Sequence, residues 1–220
     1  MSVHALPRVR LGTIALPWRT LLLTAVALAL YLGAGAAPEL WVYDRLAISQ
    51  GEWWRLISGH WVHSDLQHAV WDIGALFLLG LLFESRLQGK LFSVLGLATL
   101  GIDLWLWRVE PSLTYYCGLS GILNGLLALG LMQWWREDRH PLILMTGLGA
   151  VLKIAWEMAA GEALLTATAW SSVPEVHAVG FFCGLLLVVV VSWLNIGIIE
   201  ELGLRSDSTR WGRAPPCTLK

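Results

Sequence analysis

"YYCGLSGILNGL", residues 115–126, sets a serine between two glycines at the head of an apolar run. Two things therefore need reading: what kind of chain surrounds this run, and what the hydroxyl meets. The chain has 220 residues, 56% of them hydrophobic and 14% charged, with a mean hydropathy of +0.63. That composition belongs to a polytopic membrane protein and not to a water-soluble domain. The 14 tryptophans agree, because several (Trp18, Trp107, Trp134, Trp135 and Trp193) stand at the ends of apolar runs. An indole is favoured where hydrocarbon meets headgroup.

The formal net charge of −1 leaves no basic arm or stripe to neutralise phosphates, so a nucleic-acid partner is excluded. The three cysteines, Cys117, Cys183 and Cys217, have neither metal-site spacing nor the even count of a disulfide framework, and read as small buried hydrophobes. His60 with His63 is too little to hold a metal, and no cofactor is implied.

Apolar runs near 18–36, 66–83, 90–107, 119–135, 141–160 and 176–199 match a hydrocarbon layer of about 30 Å. They predict an all-α membrane bundle of six spans. The fourth run is short, so the chain before it is expected to enter the membrane as an irregular segment buried among the helices. The predicted organisation is an N-terminal cytoplasmic segment (1–17), a six-helix membrane domain (18–199) and a disordered cytoplasmic tail (200–220), whose "RSDSTRWGRAPPCTLK" has too few apolar residues to pack.

Lysine and arginine set the orientation. Arg8, Arg10, Arg19, Arg86, Lys90, Arg136, Arg139 and the tail's Arg205, Arg210, Arg213 and Lys220 fall on one side, against Arg45, Arg55 and Arg108 on the other. Both termini are therefore expected in the cytoplasm. The first span, followed by "GAGAA", also resembles a cleavable signal peptide; removing it would strand the basic tail outside, which argues for a retained span.

With that orientation the second, fourth and sixth spans run from outside to inside, and their outer ends carry the unusual polar residues. "GHWVHSDLQHAVWD", "CGLSG" and "PEVHAVGFFCG" bring His63, His68, Asp72, Ser120 and His177 to a similar depth on one side. Ionisable groups in membrane spans are costly and mark function by default. Ser120 with His177 is what nucleophilic catalysis needs, since a hydroxyl attacks only when a base takes its proton and imidazole titrates near neutrality. A lone membrane serine usually bonds its own backbone or a neighbouring helix; here the coincidence of depth and side carries the functional reading. Gly121 lets the fourth helix lie close to a neighbour, and Gly180 with Gly184, one and two turns beyond His177, supplies the matching small-residue surface.

In order along the chain, "EWWRLISGHWVHSDLQHAVWD", "GLSG" and "HAVGFFCG" resemble the motifs of the rhomboid family of intramembrane serine proteases. The resemblance covers about Leu40 through Leu194. It implies Ser120 as nucleophile and His177 as general base, a dyad with no third acid. It also implies an oxyanion hole from the Ser120 N–H, in the motif that begins at Gly118, and from His68 of the second span, and an outer loop braced by Trp54, Arg55 and His63. Helix five would be the lateral gate for a transmembrane protein substrate.

Two residues depart from the family pattern. Asp72 stands where rhomboids commonly have asparagine; it could donate to an oxyanion only if protonated, or it could pair with His68. Asn124 stands where an aromatic often stacks on the catalytic histidine, and could only hydrogen-bond. The small core and "YYCGLSGILNGLLALG" look most like the bacterial rhombosortase branch, which implies cleavage of C-terminal Gly-Gly sorting tails and an inner-membrane enzyme with its site towards the periplasm.

Lys153 and Glu157 are spaced to pair on one face of span five, either as a structural ion pair or as a contact that holds the gate closed. Asp103 and Glu175 remain ambiguous, Glu175 reading as solvated. Other functions compatible with these residues are a non-catalytic rhomboid-like binding protein, a lipid esterase using the same dyad, and a transporter lined by Asp72, Asp103, Lys153 and Glu157. Against the transporter stand the lack of repeated halves and the clustering of polar groups on one side.

Overall fold

The computed structural model describes residues 16–87, 89–164 and 168–201, with side chains described through Leu194. The expected N-terminal segment therefore lies almost wholly outside the described residues, as do all but the first two residues of the expected tail. The elements are α1 (Trp18–Ala34), β1 (Tyr43–Asp44), α2 (Arg45–Ser49), α3 (Arg55–Ser58), α4 (Leu66–Phe83), α5 (Leu91–Arg108), β2 (Tyr115–Tyr116), α6 (Ser120–Glu137), α7 (Pro141–Ala160) and α8 (Pro174–Glu201).

The long helices α1, α4, α5, α6, α7 and α8 begin and end within two residues of the predicted apolar runs. By length and composition four of them, α4, α5, α7 and α8, suffice to cross a membrane. The expected count was six. Helix α1 has only 17 residues, and α6 spends part of its 18 on Ser120, Asn124, Gln133, Arg136 and Glu137. The chain departs from purely helical structure where β1, in the loop after α1, pairs antiparallel with β2, in the loop after α5, Tyr43 opposite Tyr116.

Helix ends are closed by local chemistry. Helix α1 has no side-chain cap of its own; Glu84, just past α4, accepts the N–H groups of Arg19 (3.2 Å) and Thr20 (2.7 Å) and the Thr20 hydroxyl (2.6 Å). The carboxylate thus serves the exposed donors and positive end of a neighbouring helix. Pro141 and Pro174 open α7 and α8, where a missing N–H costs nothing.

The loop between α1 and α4 is tied down by buried arginine. Arg55, 5% exposed, donates to Glu52 Oε2 (2.6 Å), to the Val42 carbonyl (3.0 Å) and to the Glu39 carbonyl. Trp54 Nε1 donates to the Leu40 carbonyl at 3.1 Å. Arg45 reaches the carbonyls of Leu113 (3.1 Å), Glu110 (3.0 Å) and Leu106, fastening α2 to the end of α5. Such forks suit arginine because its donors are rigidly spaced.

Helix α6 is the central element. Its Ile122, Leu126 and Leu129 are fully buried, and α4, α5, α7 and α8 all contact it. The tightest seam is with α8. A Cβ added to Gly180 would collide with the Gly121 carbonyl, and one added to Gly184 with the Gly125 carbonyl, so the two backbones touch without side chains between them. Helix α7 is lightly packed: Ile143, Ile154 and Glu157 are its only buried residues, and Leu144, Met145, Leu148 and Leu152 face outward.

Gly180→Ala is expected to destabilise the bundle by about 1–3 kcal/mol through overpacking. Gly96→Ala, in open space on α5, is expected to be neutral or stabilising, since alanine is the better helix former. Thermal unfolding in detergent checks both, and equal losses would contradict the seam.

Candidate active site

The serine is presented by a turn that only glycine can make. Gly118 has φ +121°, and a Cβ there would meet His68 Nε2 at 2.5 Å and Asp72 Oδ2 at 3.2 Å. The turn is fixed from both sides: the Gly118 N–H donates to the Gly59 carbonyl (3.1 Å), and the Tyr116 hydroxyl donates to the Gly118 carbonyl (3.1 Å). Ser120 follows as the first residue of α6. His177 sits in the first turn of α8, 7% exposed.

The glycine seam brings the two together, with Ser120 Oγ 2.9 Å from His177 Nε2. The other ring nitrogen is also engaged, as His177 Nδ1 lies 3.0 Å from Glu157 Oε2. An ionised carboxylate can only accept, so Nδ1 carries the proton and Nε2 turns its lone pair to the serine hydroxyl. Glu157 is fully buried, and its second oxygen accepts from Lys153 Nζ (2.6 Å) and the Leu164 N–H (3.0 Å).

The expectation was a dyad with no acid; the structure sets the Glu157 carboxylate behind the histidine. Sequence reasoning missed Glu157 because its spacing to Lys153 already accounted for both charges. A usable signal was present. In the expected orientation the fifth span runs outward, which would set a carboxylate one turn from its end at the depth expected of Ser120 and His177.

His68 and Asp72 do lie beside the serine. Asp72 Oδ2 accepts from the N–H groups of Leu119 (2.7 Å) and Ser120 (3.1 Å) and is 3.3 Å from His68 Nε2. His68 Nδ1 faces the Ser64 hydroxyl (3.1 Å) and N–H (3.5 Å), which leaves Nε2 as the ring nitrogen turned to Asp72. His63 accepts the Ala37 N–H through its carbonyl (2.8 Å). Its ring turns instead to the site, with Nε2 3.4 Å from Asp72 Oδ2 and neither nitrogen in a well-formed hydrogen bond.

Asn124 does not reach the histidine; its Nδ2 donates back to the Ser120 carbonyl at 2.9 Å. Cys117 is buried, and desolvation with the nearby Asp72 charge pushes its thiol up to about 12, which leaves it an inert packing residue. His60 and Asp103 form a buried pair (3.1 Å) behind the Tyr116 ring, away from the serine.

A cavity of about 840 Å³ has Ser120, Asp72 and His177 in its wall. It runs between Ala75 and Leu79 of α4 and Gly149 and Ala150 of α7, and the segment Thr168–Val173 also lines it. That segment is tied to α4 by Asp65, which accepts from the N–H groups of Ala169 (2.7 Å) and His68 (2.9 Å) and from the Ser64 hydroxyl (2.8 Å). Burial opposes ionisation of Asp65, but these donors outweigh it and hold its carboxyl below the usual range.

Residues 50–195 match a family model described as Rhomboid domain. A Bacillus subtilis (strain 168) protein named "Putative rhomboid protease YdcA" is 32% identical over 90 residues, which is 40% of this chain and 45% of that relative. The alignment thus spans less than half of the relative's length.

Asp65→Ala is expected to cost about 1 kcal/mol at pH 7, the ordinary loss of an N-cap. The carboxyl is lowered in the folded state, so its contribution is present above the unfolded value and is lost as pH falls through the folded one. Thermal unfolding of variant and wild type should therefore differ at pH 7 and converge in strong acid; a gap that persists there would assign the loss to something other than the carboxylate.

Proposed function

The chain belongs to the rhomboid family, and from that premise we propose that this integral membrane protein is an intramembrane serine endopeptidase acting through Ser120, His177 and Glu157. The supporting observation is the continuous line from Ser120 Oγ to His177 Nε2 (2.9 Å) and from His177 Nδ1 to Glu157 Oε2 (3.0 Å). Ser120 Oγ attacks the scissile carbonyl carbon while its proton passes to His177 Nε2 and the carbonyl π pair moves onto oxygen. Collapse of that adduct breaks the C–N bond, and His177 returns the proton to the leaving amine. Water, deprotonated by the same imidazole, then hydrolyses the acyl-serine. Glu157 holds the ring in the base-ready tautomer and offsets the imidazolium charge, a role worth orders of magnitude in comparable hydrolases. Lys153 and the Leu164 N–H keep that carboxylate in place.

The substrate is a single-span membrane protein, entering the cavity from lipid between α4 and α7. The membrane domain carries six spans with both termini cytoplasmic, and cleavage occurs near the outer face. Within the family we favour the rhombosortase-like reading: C-terminal Gly-Gly tails cut at the periplasmic face of a bacterial inner membrane. Its support is the likeness of "YYCGLSGILNGLLALG" to that branch, together with a nucleophile recessed in a cavity, which glycines reach because they are slim and unwound. A rhomboid protease of broad substrate range is the alternative.

Co-expression with a tagged substrate bearing a Gly-Gly motif, a membrane helix and a basic tail tests the reading. Wild type is expected to cleave it and Ser120→Ala to leave it intact; cleavage by the serine variant would sink the mechanism. Cleavage only of substrates without the glycines would reject the sorting-tail specificity and keep the protease. Glu157→Gln, which keeps shape but not charge, is expected to lower kcat about a thousandfold or more. An unchanged rate would return Glu157 to a structural ion pair.

A further inference from the structure

The oxygen-binding side of the serine is already occupied by the protein itself. Four nitrogens converge on one carboxylate oxygen, Asp72 Oδ2: the N–H groups of Leu119 (2.7 Å) and Ser120 (3.1 Å), and the Nε2 atoms of His68 (3.3 Å) and His63 (3.4 Å). They come from three separate parts of the chain, the loop before α4, the first turn of α4 and the start of α6. Asp72 itself is only 6% exposed. Backbone donors turned inward in so dry a place need an acceptor, because a buried N–H without one costs the full loss of its hydration.

The same donors are those that a reacting carbonyl would use. When Ser120 Oγ bonds to a carbonyl carbon, the oxygen on that carbon comes within reach of the Ser120 N–H, and its charge grows where preorganised donors point. The alkoxide and the Asp72 carboxylate cannot share that point, as two negative charges in contact oppose one another strongly. An asparagine at this position would carry no such conflict. Gly118 leaves no slack either, since a Cβ there would strike both His68 and Asp72.

Resting on the serine-protease reading, we propose that Asp72 is a resident stand-in for the oxyanion. Its carboxylate holds the donors of the oxyanion hole in position while the enzyme is empty, and the substrate carbonyl must displace it before the tetrahedral adduct can form. Asp72 is then a positioning residue with a restraining effect on rate. Only a carbonyl held firmly by the rest of the cavity displaces it, which favours well-bound substrates over chance encounters at the serine.

The test is the rate at which a fluorophosphonate labels the full-length protein in detergent. The serine oxygen bonds to phosphorus, fluoride leaves, the proton goes to His177, and the phosphoryl oxygen takes the oxyanion position. Asp72→Asn keeps an oxygen for the N–H donors and removes the charge, so labelling is expected to be about tenfold faster or more than in wild type. Asp72→Ala leaves the donors open; added formate is expected to raise its melting temperature and slow its labelling, with neither effect on wild type. Labelling of Asp72→Asn at or below the wild-type rate would overturn the proposal, as would Asp72→Ala that ignores formate. Absence of labelling in wild type and variants alike would bring down the serine-enzyme reading and this proposal with it, a pattern distinct from a labelled wild type with a slower variant.

Discussion

Everything at the site depends on one contact without side chains, the approach of α8 to α6 where the Gly121 carbonyl occupies the space a Cβ on Gly180 would need. In a bilayer, apolar side chains gain little by leaving lipid for one another, and close backbone packing is a main source of helix association. The contact begins one residue after Ser120 and three after His177, so the approach that holds the helices together also sets hydroxyl to imidazole at 2.9 Å. Architecture and chemistry here share one set of atoms.

Around that contact the protein places three carboxylates, each satisfied in a different way. Glu157 divides its oxygens between His177 on one side and Lys153 with the Leu164 N–H on the other. Asp72 gathers the donors beside the serine, and Asp65 ties the segment before α8 to the start of α4. An unpaired charge at such depth would be expensive. Full pairing makes each carboxylate a fixed point, two of them at α4 and one on α7. The acid behind the histidine rides on α7, a helix with only three buried residues. Movement of α7 would therefore take the histidine's partner with it.

Much of this was legible in the sequence for identifiable reasons. Long apolar runs located the six long helices, because a run of that length has few other uses. Ser120 and His177 stood out since polar groups at one depth of a membrane bundle are rare, and the structure sets them in hydrogen-bond contact. Glu157 escaped because an i, i+4 partner on its own helix seemed to explain it; a local pairing hides a longer-range one whenever a carboxylate uses both oxygens. The two-residue strands are too short to leave any periodic pattern. The convergence on Asp72 could not be read, because its donors sit at positions 63, 68, 119 and 120 and meet only through the turn at Gly118. His63 was read as a loop brace; its carbonyl accepts the Ala37 N–H, but no spacing rule shows where an imidazole points.

The most direct measurement is an experimental structure of the protein after reaction with a fluorophosphonate. The account predicts phosphorus bonded to Ser120 Oγ and His177 Nδ1 still within hydrogen-bond distance of Glu157. Phosphorus on another residue, or an adduct at Ser120 with Glu157 turned away from the imidazole, would contradict it.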